Sequence, residues 1–90
     1  MSDVNEQGVM KDAIGQDLNI GDTVAVAQSW DFGNEVKAVV RVIDEAHHDI
    51  FGKTFIYLIG TDPDESVARS SDNVMSAKPE RVVLIKKSGN

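Results

Sequence analysis

The chain contains short stretches in which successive residues alternate with a period of two. In "TVAVA", from Thr23, one face carries valines and the other carries alanines. A second stretch begins at Val36, and a third, "TFIYLI", begins at Thr54. This period is typical of strands, whose side chains point alternately to opposite faces. No stretch has a convincing helical period over ten residues or so, and the sequence predicts an all-β chain.

The second stretch has one fully apolar face and one mixed face. The apolar positions are Val36, Ala38, Val40 and Val42, and they alternate with Lys37, Val39, Arg41 and Ile43. A strand that offers apolar side chains on both faces is typical of a sheet interior. We therefore expect this strand to be central.

Turn signals separate the predicted strands. Gly21 can adopt a positive φ before the first strand, and the Asp22 carboxylate can accept backbone N–H bonds there. "DFGN", residues 31–34, predicts a turn, and the polar run "DEAHHD", residues 44–49, predicts a loop. "DPD", residues 62–64, ends the third strand.

The C-terminal third predicts two shorter strands. "ESVARSS" is weakly apolar, and we expect it to form an edge strand around Val67 to Ser70. In "NVMSAKPER", residues 73–81, Pro79 is placed to begin a single helical turn. "VVLI", residues 82–85, predicts a short buried last strand. Five short strands with frequent turns favour a small barrel or sandwich.

The opening "LNIGDTVAV", the valine-rich second strand, the aromatic third strand and "KPERVVLI" resemble the SH3-like small barrels, including KOW and Tudor-type modules. The resemblance covers about residues 14–86 and implies a five-stranded barrel with a short 3₁₀ turn before the last strand. The opening also looks similar to that of small proteins of tailed bacteriophages, with the pattern D-x-x-G-x-x-L-x-x-G-D-x-V-A. Here the pattern falls on Asp12, Gly15, Leu18, Gly21, Asp22, Val24 and Ala25.

The composition is that of one small globular domain. The 90 residues are 41% hydrophobic and include no cysteine, so disulfides are excluded. We expect a flexible N-terminal arm over residues 1–12, a barrel domain over 13–87 and a tail over 88–90. The polar N-terminus and the lack of an apolar run of roughly 20 residues favour a cytoplasmic protein without a membrane segment.

The charge argues against a polyanionic partner. The formal net charge is −6, with 15 acidic residues against nine lysines and arginines. Nucleic-acid binding, which KOW modules suggest by resemblance, remains the alternative function. The basic face that would carry it is Lys37, Arg41, Arg69, Lys78 and Arg81.

Two short strings imitate catalytic motifs. "DEAH", residues 44–47, and "DFG", residues 31–33, lack the phosphate-binding loops that give such strings their meaning. His47 and His48 are adjacent, and neighbouring strand residues do not converge easily on one metal ion. Because no nucleophile is paired with a base, we expect no enzyme, no cofactor and no metal.

The favoured function is a protein-interaction module that binds another protein or a second copy of itself. The turn "SWDFGN" supplies the candidate binding residues Trp30, Asp31, Phe32 and Glu35, since large aromatic residues in loops are frequent interface hot spots. Trp30 could equally close one end of the barrel. If the bacteriophage resemblance holds, an accessory or host-directed role is implied.

Overall fold

The computed structural model describes residues 10–29 and 36–88, and this part of the chain is mostly strand. The all-β prediction is confirmed. In chain order the elements are β1 (Met10–Lys11), β2 (Asp17–Leu18), β3 (Thr23–Ser29), β4 (Val36–His48), β5 (Thr54–Ile59), helix α1 (Glu65–Ala68), β6 (Met75–Ala77), the 3₁₀ turn η1 (Pro79–Arg81) and β7 (Val82–Lys86).

The main sheet is antiparallel, with the order β6-β5-β4-β3-β7, and β1 pairs with β2 in a small separate sheet. β4 is central, as its two apolar-bearing faces predict. Within the described residues the sheet is not closed into a barrel, and β6 and β7 remain its edges. The 3₁₀ turn before β7, which the sequence predicts, separates these edges, because its backbone is not extended and Pro79 has no N–H to donate.

The core lies on one side of the sheet, under the β1–β2 segment. Its buried residues are Met10, Leu18, Val24, Val26, Ile43, Ile56, Leu58 and Val82. On β4 the mixed face turns inward: Val39 packs against the core, whereas Val36 and Val40 on the fully apolar face are exposed. The register requires this, since Val26 pairs with Val39 and Ala25 with Val40.

The prediction of a loop over residues 44–49 is wrong. β4 continues to His48 and pairs with β5 in an antiparallel hairpin, with a register shift between Ile43 and Glu45. Residues 45–48 of β4 are exposed, so this part of the strand needs no apolar alternation, whereas Ile56 and Leu58 of β5 are buried in the core. We refer to residues 44–59 as the β4–β5 hairpin.

The edge strand predicted around Val67 to Ser70 is also wrong. Residues 65–68 form a single turn of helix, in which Asp64 caps the N-terminus by accepting a hydrogen bond from the Ser66 N–H at 3.0 Å. The edge strand lies further along the chain, at β6. The cap, a local side-chain bond, explains why this weakly apolar segment turns rather than extends.

The folded chain begins before the boundary that the sequence suggests. Met10 is buried and Lys11 pairs with Asp17, so residues 10–12, which the prediction places in the arm, belong to the fold. The arm's residues 1–9 lie outside the described residues.

Candidate functional site

The binding turn predicted from the sequence falls in residues 30–35. Trp30, Asp31, Phe32 and Glu35 lie outside the described residues, so their assignment stays a prediction.

The five basic residues of the alternative face have different surroundings. Arg69 is engaged by the Asp44 carboxylate, with both Arg69–Asp44 contacts at 2.9 Å, and by Glu65 at 3.0 Å. Lys78 and Arg81 line two different cavities. Lys37 and Arg41 lie on the inward-facing side of β4, and Arg41 donates to the Val40 carbonyl.

Asp12 is the first of two buried carboxylates. It accepts hydrogen bonds from the backbone N–H groups of Gln16 (2.7 Å), Leu84 (2.8 Å) and Ile14 (3.1 Å) and from the Gln16 side chain (3.0 Å). Burial by itself raises the pKa of Asp12, but these four donors outweigh it and lower the pKa to about 2. The carboxylate therefore joins the β1–β2 turn to β7.

Asp22, the second buried carboxylate, behaves in the same way. Its oxygens accept from the backbone N–H of Ser88 (2.9 Å), from the Lys87 ammonium (3.0 Å) and from the backbone N–H of Asn19 (2.8 Å). Burial raises the pKa of Asp22, and these donors more than compensate, so the pKa is lowered. The predicted bonding of Asp22 to turn N–H groups is confirmed, and both carboxylates serve the fold.

The most exposed large apolar residues among those described are at the tip of the β4–β5 hairpin. Ile50 is 92% exposed and Phe51 is 80% exposed. We call these two residues the hairpin tip. Asp49 fixes the turn, because its carboxylate accepts the N–H groups of Phe51 (2.8 Å) and Lys53 (2.9 Å). The tip is thus held in one conformation although nothing in the described chain covers it.

Gly52 completes this turn. Its φ is +80°, a left-handed conformation that glycine adopts without strain, and its N–H donates to the Asp49 carbonyl at 3.0 Å. The Asp49 N–H closes the turn by donating to the Lys53 carbonyl at 2.9 Å. Sequence reasoning missed the tip, but the signal was present: "DIFG" is an Asp-x-x-Gly turn whose central positions are apolar.

A groove opens where the sheet fails to close. It has a volume of roughly 400 Å³ and lies between β6, the end of β3 and η1. We call it the seam groove. Its lining includes the apolar Ala13, Val26, Met75 and Ala77 and the charged Glu80 and Arg81. Among the described residues, Ala27 to Ser29 pair with β4 on one side and with no strand on the other.

The outward side of the sheet is a second apolar surface. Ala25 lies between Val40 and Val83 on the neighbouring strands, and Ala27 pairs with Ala38. Val40 and Val83 are exposed. We call these five residues the outer face. It contains more residues than the tip, but its small side chains offer less to a binding pocket.

The two histidines lie on the β4–β5 hairpin. The His47 ring contacts the Tyr57 ring, with centroids 4.5 Å apart, and His48 Nδ1 is 3.0 Å from the Thr54 hydroxyl. Within residues 10–29 and 36–88, no group of three or more acidic or histidine side chains is arranged to hold a metal ion.

No family model matches the chain, and neither the curated proteins nor the solved structures include a significant match. No helix in the described part of the chain is both long and apolar enough to cross a bilayer.

Proposed function

We propose that this chain is a protein-interaction module that binds a second copy of itself, and that the hairpin tip enters the seam groove of that copy. The observation that carries the proposal is the exposure of Ile50 and Phe51 on a turn fixed by hydrogen bonds. Adjacent large apolar residues gain free energy when a partner covers them, and such contiguous exposure marks interaction sites.

The fixed turn lowers the cost of binding. A mobile loop loses backbone conformational entropy when a partner immobilises it, at roughly 1–2 kcal/mol for each residue. The bonds from Asp49 have already ordered the backbone of the tip. An aromatic residue such as Phe51 is then free to act as a hot spot, which is worth about 2 kcal/mol or more.

The seam groove matches the tip in polarity and charge. Its apolar lining from β3 and β6 suits two apolar side chains, and Arg81 at the groove offers a cation to the Asp49 carboxylate beside the tip. Each copy carries both a tip and a groove, so two copies can satisfy each other about a two-fold axis. In such a two-fold dimer, both the hairpin tip and the seam groove of each copy are occupied.

We propose further that the module is SH3-like with a seam that stays open. The five-stranded antiparallel sheet and the 3₁₀ turn before the last strand are compatible with this proposal. Open strand edges beside a groove are places where a partner strand or loop can add. Nucleic-acid binding has less support, since Arg69 is engaged by two carboxylates.

Sedimentation velocity over a range of protein concentrations tests the proposal. The wild type should form a concentration-dependent dimer, and Ile50→Ser/Phe51→Ser should weaken it at least about 30-fold, as the loss of two hot-spot side chains predicts. The matched control is Ile14→Ser/Ile20→Ser, which removes two exposed isoleucines from another part of the surface. The control should dimerise like the wild type.

The groove is tested by Ser76→Arg, which places a long charged side chain at an exposed position of β6 in the groove lining. It should weaken the dimer as well. Mixing the tip variant with the groove variant should give a heterodimer that is tighter than either variant homodimer and weaker than the wild-type dimer, because that pair retains one of the two intact tip–groove contacts. A wild type that stays monomeric near 1 mM, a weak-binding limit of about 4 kcal/mol, would refute the proposal. If the tip variant still dimerises, the tip–groove interface is wrong, and the outer face becomes the candidate interface.

A further inference from the structure

A second cavity also borders η1 and shares Glu80 with the lining of the seam groove. Its volume is roughly 530 Å³, and it is lined by β1, the start of β5 and η1. Each of these three segments contributes one lysine: Lys11 from β1, Lys53 from the residue before β5, and Lys78 from the residue before η1. We call this cavity the lysine cleft.

The charge of the lysine cleft is opposite to that of the chain. The formal net charge of the whole chain is −6, yet three of its nine basic residues line this one cavity, with Glu80 as the acidic residue in the lining. Lys11 forms an ion pair with Asp17. Lys53 and Lys78 form no ion pair with any other residue that the structure describes. Like charges brought together in this way are stabilised by an anion between them.

The floor of the lysine cleft is apolar. Met10 and Pro79 are buried where they line it, and Thr54 adds a hydroxyl that the His48 ring nitrogen contacts at 3.0 Å. An apolar floor below a cationic rim suits a molecule with an organic body and a compact, doubly charged head. The cavity also falls within the range of roughly 300–1,000 Å³ that is usual for small-ligand sites.

We infer that the lysine cleft binds a small phosphate monoester, whose phosphate is held by Lys53 and Lys78 and whose organic part rests on Met10 and Pro79. Lysine binds phosphate as a mobile point charge, so two or three lysines can surround one phosphate without a fixed geometry. A dianionic phosphate at neutral pH uses the excess positive charge of the cleft better than a singly charged carboxylate does.

The experiment is a titration of ¹⁵N-labelled full-length protein with adenosine 5′-monophosphate, followed by amide chemical shifts. The expected result is a saturable shift confined to the lining residues that have an amide N–H, which are Met10, Lys11, Lys53, Thr54, Lys78 and Glu80. Adenosine, which has the organic part without the phosphate, should cause no saturable shift. Inorganic phosphate should bind at least about tenfold more weakly than the monophosphate, because it leaves the apolar floor uncovered.

Two double variants, each lacking two lysines, distinguish binding at the lysine cleft from non-specific electrostatic attraction to the whole protein. Lys53→Ala/Lys78→Ala should weaken monophosphate binding at least tenfold, whereas Lys37→Ala/Lys86→Ala should leave it within about twofold of the wild type. The inference is overturned if the wild type does not saturate by 10 mM or so, if both variants lose affinity equally, or if a single-stranded oligonucleotide binds while the monophosphate does not.

The inference about the lysine cleft and the proposal of a dimer can be tested independently of each other. Lys53→Ala/Lys78→Ala leaves both tip residues in place and should sediment like the wild type. Equally, Ile50→Ser/Phe51→Ser should bind the monophosphate with unchanged affinity. Loss of both properties in either variant would mean that a single surface serves both, which contradicts the inference as stated.

Discussion

The opening of the chain and the β4–β5 hairpin both contain turns that are stabilised by an aspartate, but the aspartates have different bonding partners in the two regions. In residues 12–22, Asp12 and Asp22 direct their carboxylates inward and bind the backbone near the C-terminus. In the β4–β5 hairpin, Asp49 binds only its own turn and leaves Ile50 and Phe51 in solvent. An aspartate turn bonded across the fold stabilises it, while one bonded to itself is free to present side chains to a partner.

The same contrast holds for the apolar residues of the two regions. Leu18 in the opening is 1% exposed, whereas both residues of the hairpin tip are exposed over most of their surface. Burial of a leucine contributes about 2 kcal/mol to folding, and an exposed side chain contributes almost none. We therefore expect substitutions in the opening to change stability and substitutions at the tip to change association.

The largest expected effect is that of Leu18→Ala, which should lower the free energy of unfolding by about 3 kcal/mol, because it leaves a cavity against the core. Urea denaturation at neutral pH measures this loss. Ile20→Ala, two residues later at a side chain that is 51% exposed, is the control and should cost well under 1 kcal/mol. Equal losses for both would mean that β2 does not close the core.

The next effect is that of Asp12→Asn, which should lower the melting temperature clearly. The amide keeps one acceptor oxygen and places its own N–H groups towards donors such as the Leu84 N–H, which then loses its partner. Asp17→Asn is the control, since it removes only an exposed ion pair with Lys11. Thermal unfolding followed by circular dichroism should separate the two variants, and similar melting temperatures would contradict a cross-fold role for Asp12.

Acid should act on the same carboxylate. The folded pKa of Asp12 is about 2, below its ordinary value of 3.8, so the unfolded chain binds a proton more readily than the folded one. The stabilisation is complete above about pH 4 and is lost as the pH falls towards 2. Urea midpoints measured from pH 5 to pH 2 should fall for the wild type and fall less steeply for Asp12→Asn. A parallel decline would assign the acid sensitivity to other groups, such as Asp22.

The smallest expected effect on stability is that of Ile50→Ser/Phe51→Ser. Because no residue that the structure describes covers either side chain, the free energy of unfolding should change by less than about 0.5 kcal/mol, measured on the monomer at low concentration. The same variant should lose self-association. A loss of more than 1 kcal/mol or so in the monomer would show that the tip packs against its own chain, and the contrast between the two regions would fail.

Local chemistry made part of this structure predictable. The alternation in β3, β4 and β5 follows from the period of the strand, and the bonds of Asp22 follow from a carboxylate next to a glycine turn. The 3₁₀ turn at Pro79 is similarly local, since proline is preorganised for a first helical position. Each of these features depends on residues within a few positions of one another, which a sequence displays directly.

Tertiary pairing decided the rest. Residues 44–48 are strand because β5 lies beside them, although their composition is that of a loop. The mixed face of β4 is inward because its register with β3 places Val39 opposite Val26, and no local pattern distinguishes that face from its apolar opposite. The sequence by itself determined the class of fold, the bonding of Asp22 in its turn and the 3₁₀ turn at Pro79. Which apolar residues remain for a partner was decided by contacts between residues far apart in the chain, because only those contacts settle which side chains the fold covers.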